Sequence, residues 1–100
     1  MTKVNICGIE HEVISVDDTF NVDTHFGMID YLKCQIKINK NLFGKNKEET
    51  ICHEMIHGIL VHTGNQELAN DELFVQSLAN AIMQGFDVRY IETEDMEVRK

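Results

Sequence analysis

The sequence predicts an α+β domain: a small twisted sheet of three to four strands packed on two main helices. Three observations carry that prediction. Residues 3–39 hold short β-branched runs of alternating polarity, separated by turn residues. Two later stretches, about 47–63 and about 68–85, place apolar residues at helical spacing and close on Gly64 and Gly85. The whole chain of 100 residues, 43% of them hydrophobic, is the size of one domain with one core.

Residues 3–16 read as a β-hairpin in which Val4 and Ile6 alternate with polar neighbours, Gly8 offers the turn and residues 13–16 resume a β-branched run. His11 and Glu12, near the start of the second strand, are expected at the surface. Residues 17–24 are turn-rich, with Phe20 and Val22 expected to tuck beneath the turn. Their aspartates lack the order, central glycine and closing glutamate of an EF-hand, so no calcium loop is expected. Residues 26–31 read as a third strand. In a fourth, Cys34, Ile36 and Ile38 alternate with Gln35, Lys37 and Asn39. Lys33 and Lys37 suit an edge strand, where charge discourages unwanted pairing, and such an edge near Ile36 and Asn39 can accept an extended peptide.

A connection over 39–46 leads to the first helix, which Asn46 or the next residue can cap and whose early Glu48 and Glu49 suit the helix dipole. On a helical wheel Cys52, Ile56, Ile59 and Leu60 share one arc, with His53 and His57 at its edge. The second helix should start near Glu67 or Asn70. Its apolar arc holds Leu68, Val75, Leu78, Ala79, Ile82, Met83 and Phe86, and Glu72 falls on that arc near the N-terminal end. Residues 86–92 are expected to add a short strand or wrap the sheet, and 93–100 to fray.

Composition excludes several classes. A formal charge of −8 argues against a nucleic-acid surface, which needs clustered Lys and Arg to displace counterions. The one basic group, Lys33, Lys37, Lys40, Lys45 and Lys47, reads as a solvated edge. No apolar run reaches the roughly 18 residues of a membrane span, and the N-terminus carries no apolar leader, so a cytoplasmic setting is expected. Cys7, Cys34 and Cys52 have neither CxxC nor disulfide-framework spacing and are expected to be reduced and mostly buried.

The first helix contains His53-Glu54-Met55-Ile56-His57, an HExxH sequence. Residues four apart share a helix face, so both imidazoles can reach one metal from the same side. Glu54 projects about 100° away from His53, where it can meet a metal-bound water as general base. Two histidines need a third protein ligand to build a catalytic zinc site with one open position. A carboxylate on a buried stripe is costly unless it is paired or binds a metal, and Glu72 meets that description. Asp71 is the competing carboxylate, and the plainer alternative makes Glu72 part of a polar first turn with packing only from Val75 onward. His62 lies nine residues after His53, where the metzincin pattern needs ten, the position of Thr63.

With HExxH followed by Glu72 inside Asn70-Asp71-Glu72-Leu73-Phe74-Val75-Gln76-Ser77-Leu78-Ala79-Asn80, the chain resembles small gluzincin-type zincins. More narrowly, it resembles the short metallopeptidase-like proteins of phages and prophages near the ImmA/IrrE-like and SprT-like families. The resemblance also covers Gly27-Met28-Ile29-Asp30 and Gln35-Ile36-Lys37-Ile38. It implies a zincin-like minimal domain with zinc on His53, His57 and Glu72, Glu54 activating water, and the strand ending near Asn39 rimming the cleft and aligning a peptide or protein substrate. Zincins usually add a His or Tyr that stabilises the oxyanion; Tyr31, Tyr90 and His62 are the candidates. No counterpart of the larger C-terminal subdomain of big gluzincins is expected, and a domain this small implies a shallow groove and a narrow substrate range. The activity implied is zinc-dependent peptide hydrolysis. The rivals are a zincin-like binding or regulatory module without turnover and a metal-free domain; a site of two His and one carboxylate also admits Mn, Fe, Co or Ni.

Overall fold

The first two strands are a hairpin. In the computed structural model, which describes residues 2–17 and 27–85, β1 (Thr2–Ile6) pairs antiparallel with β2 (Ile9–Val16) across Cys7 and Gly8. Both turn residues have positive φ, 52° and 84°, as a two-residue type I′ turn requires. The second hairpin joins β3 (Gly27–Asp30) to β4 (Gln35–Asn39) through four residues ending at Cys34, also at positive φ. β4 pairs in parallel with β2, so the mixed sheet runs β1-β2-β4-β3.

That order corrects the expected edge. β4 lies inside the sheet, with Lys37 opposite Ile14 on one side and Met28 on the other. Ile36 and Ile38 face the core, while Lys37 points to the opposite face of the sheet and is half-buried. An alternating strand looks the same at an edge and in the middle of a sheet covered on one face. Among the described residues the sheet edge beside the helices is β3. Period-two alternation also corrects His11, which shares a face with Val13, pairs with Val4 and is 0% exposed.

After β4, Asn39 turns the chain by accepting a hydrogen bond from the Asn41 amide through Oδ1, 2.8 Å. Helix α1 (Gly44–His62) starts earlier than expected: Phe43 is its N-cap without a side-chain bond, Asn46 lies within the helix, and no acidic residue falls in the first turn. A short α2 (Gln66–Ala69) and then α3 (Glu72–Gly85) replace the single second helix.

α1 is packed on two sides. Ile51 and Met55 join the sheet core of Ile6, Val13, Ile36 and Ile38. Cys52 and Ile56 form a second core with Val75 and Ala79 of α3, to which Leu60, Ile82 and Met83 add. Gly58 permits the close approach, since a Cβ there would stand 3.1 Å from methyl groups of Ile6 and Ile29. The single-arc wheel therefore misplaces Ile59, which is exposed, as are Leu68 and Leu78. All three cysteines are free, but only Cys52 is buried; Cys34 is half-buried and Cys7 exposed. Among the described residues no helix is long and apolar enough to cross a membrane. Phe20, Val22, Phe86, Tyr90 and the strand expected over 86–92 lie outside the described residues.

Candidate metal centre

The site starts from one turn of α1. His53 and His57 sit four residues apart with ring centroids 4.9 Å apart, and their Nε2 atoms are 3.2 Å from each other. α3 brings the third donor. Asp71, the competing carboxylate, is occupied as a helix cap: its Oδ1 accepts the Phe74 amide at 3.1 Å. Glu72 is then the first residue of α3. Its Oε1 stands 2.5 Å from His57 Nε2, and its Oε2 3.6 Å from His53 Nε2.

The reason given for Glu72 in the sequence needs correction. Its side chain is 63% exposed, and the buried stripe of α3 starts at Val75. Val75 and Ala79 dock on Cys52 and Ile56, which lie beside the histidines on α1. Packing one turn further along α3 delivers Glu72 to the site, and burial of its own charge is not involved.

The donor set is one that could hold a metal ion, and zinc gives a scale for it. With zinc–nitrogen and zinc–oxygen bonds of about 2.0–2.1 Å, neighbouring donors of a tetrahedron lie roughly 3.3 Å apart. The His–His separation of 3.2 Å matches that edge, while the carboxylate meets the two rings through different oxygens, Oε1 at 2.5 Å from His57 and Oε2 at 3.6 Å from His53. One ligand atom from each of the three residues lies within 4.8 Å of the others. A cation placed among them would satisfy lone pairs that otherwise compete for very few protons.

Behind His53 stands a polar seam that sequence reasoning missed. His53 Nδ1 is 2.7 Å from Gln76 Oε1. Gln76 Nε2 in turn donates to Glu49 Oε1 at 2.7 Å and to Asn80 Oδ1 at 2.9 Å. The signal was available as spacing: Gln76 follows Glu72 by one helical turn, Asn80 follows by another, and Glu49 precedes His53 by one turn on α1.

Glu54 leaves α1 towards the sheet and is 7% exposed. Gly27 of β3 gives it room, because a Cβ there would lie 3.5 Å from Glu54 Cγ and only 2.8 Å from Thr50 Cγ2. Burial, and then the charge of Glu72, push the Glu54 carboxyl up to about 7. Tyr31 follows β3 directly. Burial and the Glu54 charge raise its phenol above the ordinary value, so it stays protonated as a hydrogen-bond donor.

Glu54, Tyr31, His57 and Glu72 line an open cleft of roughly 410 Å³, whereas His53 is not among its lining residues. The β3 segment from Gly27 to Ile29 forms one wall, Glu54, His57 and Val61 of α1 another, and the corner from Gln66 to Glu72 a third; Tyr31 also lines it. The rim is therefore β3, whereas the strand ending at Asn39 is interior. His62 stands apart from the trio, its ring edge-on to Tyr31 and to His11 at 6.1 Å. His11 hydrogen-bonds the Ile9 carbonyl through Nδ1 at 2.9 Å. In comparisons with known proteins, no family model, no curated protein and no solved structure matches the chain.

Proposed function

We propose that the protein is a zinc-dependent metallopeptidase, with His53, His57 and Glu72 as metal ligands and Glu54 as general base. One observation supports this reading: donor atoms of His53, His57 and Glu72, from two helices, lie within 4.8 Å of one another, and His57, Glu72 and the buried carboxyl of Glu54 line one cleft. Bound there, zinc would lower the pKa of a water molecule and polarise a carbonyl group.

The remaining work falls to the chain itself. Glu54, with a carboxyl that titrates near neutrality, accepts the proton of the attacking water and returns it to the leaving nitrogen as the C–N bond breaks. β3, an edge strand among the described residues, offers backbone donors and acceptors to an extended peptide laid along the cleft. The Tyr31 phenol is available to donate to the carbonyl oxygen as negative charge grows on it.

The test has two readings. Elemental analysis of purified protein and of the His53→Ala and Glu72→Ala variants should give about one zinc per chain, lost in both variants. A peptide library should yield at least one substrate that is cut by the parent and spared by Glu54→Gln. Failure to take up zinc would overturn the metal site. Zinc binding without cleavage of any peptide would leave a zinc-bearing binding module in place of the enzyme.

A further inference from the structure

We propose that Glu49 sets the tautomer of His53 through Gln76, so that His53 reaches the metal site with its Nε2 lone pair bare. This inference rests on the metal-site reading above and concerns how that site is kept ready.

The proton bookkeeping starts at the side of the seam that cannot be reversed. A carboxamide can turn over, exchanging its oxygen for its nitrogen, and Gln76 and Asn80 are both of this kind. Glu49 is not: an ionised carboxylate only accepts. Its Oε1 lies 2.7 Å from the Gln76 amide, so the Gln76 end facing Glu49 must be the NH2 group. One of its hydrogens goes to Glu49 and the other to Asn80 Oδ1. The opposite end, Oε1, then faces His53 Nδ1 at 2.7 Å and can only accept. A neutral imidazole carries one ring proton, and here it is fixed on Nδ1. Nε2 is left as a lone pair, 3.2 Å from His57 Nε2 and 3.6 Å from Glu72 Oε2.

Remove the acceptor at Glu49 and the order is lost. Gln76 can turn over and offer N–H to Nδ1, which selects the tautomer with its proton on Nε2, where the metal must bind. The neutral amide also serves as a spacer. The charge of Glu72 already helps raise the Glu54 carboxyl, after burial. A carboxylate in direct contact with His53 would add a third negative group to that centre, whereas Gln76 passes on the orientation and keeps the charge of Glu49 one side chain away.

The experiment reads the imidazole directly. Proton–nitrogen correlation spectra of the full chain, before zinc loading, distinguish Nδ1–H from Nε2–H. The parent should show His53 protonated on Nδ1. Glu49→Lys places a donor where an acceptor stood and should move the proton towards Nε2, weakening zinc in a chelator competition by roughly 10- to 100-fold, the range typical of lost outer-shell partners. Adding Gln76→Glu to Glu49→Lys should restore both, because the new carboxylate can only accept from His53 and pairs with the lysine. Glu49→Ala, a smaller change, should give a mixture of tautomers. A parent with His53 protonated on Nε2, or a Glu49→Lys spectrum identical to the parent's, would overturn the proposal. Because the tautomer is read without zinc, a parent that binds no metal would sink the metal-site reading and leave this result standing on its own.

Discussion

Replacing Glu54 by Gln should make the zinc-free protein more stable, and only at neutral and alkaline pH. The carboxyl sits at 7% exposure close to Gly27, and burial, followed by the charge of Glu72, pushes it from an ordinary 4.5 up to about 7. A raised carboxyl binds its proton more tightly when folded, so its stability contribution is complete below pH 4.5 and is lost as pH rises through 7. At about 1.4 kcal/mol per pH unit, the interval of roughly 2.5 between the two values corresponds to about 3 kcal/mol by pH 8. The amide introduced by Glu54→Gln does not titrate, and its shape is nearly that of the protonated acid. Urea unfolding followed by circular dichroism should therefore give nearly equal free energies for parent and Glu54→Gln at pH 4, and an advantage of about 3 kcal/mol for the variant at pH 8. Zinc loading should shrink the pH 8 gap, because a cation beside Glu54 favours its ionised form. A gap below about 1 kcal/mol at pH 8, or one of equal size at both pH values, would refute the claim that Glu54 is held in a poorly solvated place.

Gly27→Ala should cost about 1–3 kcal/mol, since the new Cβ meets Thr50 Cγ2 at 2.8 Å and the Lys37 carbonyl oxygen at 3.1 Å; chemical denaturation would measure it. Asp71→Ala removes the bond to the Phe74 amide and should lower stability by about 1 kcal/mol, with a measurable loss of zinc affinity because Glu72 occupies the first turn that the cap holds. Tyr31→Phe should bind zinc as the parent does and lose on the order of 10²-fold in kcat/KM on any peptide that proves to be a substrate; equal turnover would remove the phenol from the reaction.

The meeting of His53 and His57 was legible because spacing encodes geometry: the two can share a face only if the stretch is helical. Glu72 was reached by a weaker route, through a burial the residue does not have. Gln76 sits one helical turn from both Glu72 and Asn80, but that spacing singles out a neutral amide only once the position of His53 across the groove is known. The α+β class is readable from periodicity alone, yet alternation places β4 at an edge because it reports one covered face and is silent on lateral neighbours. The single-arc reading of α1 fails for a related reason: a helix sandwiched between two partners spreads its apolar residues over two faces, so Ile59 looks internal and is not. His11 could have been assigned inward from its period-two relation to Val13, had residue polarity not been given more weight than position.

The two cores on either side of α1 have a mechanical consequence. The fully buried residues of α3 are Val75 and Ala79, a small anchor for a helix that carries one donor of the trio and both amides of the seam. A cation held jointly by His53, His57 and Glu72 would act as a staple between α1 and α3, and at roughly a thousandfold excess over its dissociation constant would add about 4 kcal/mol to folding. Chelation should then release α3 before the sheet. In hydrogen exchange, amides of α3 would open early while those of β2 and β4 stay protected, so that loss of the ion reads out first as a loosened helix and only later as an unfolded chain.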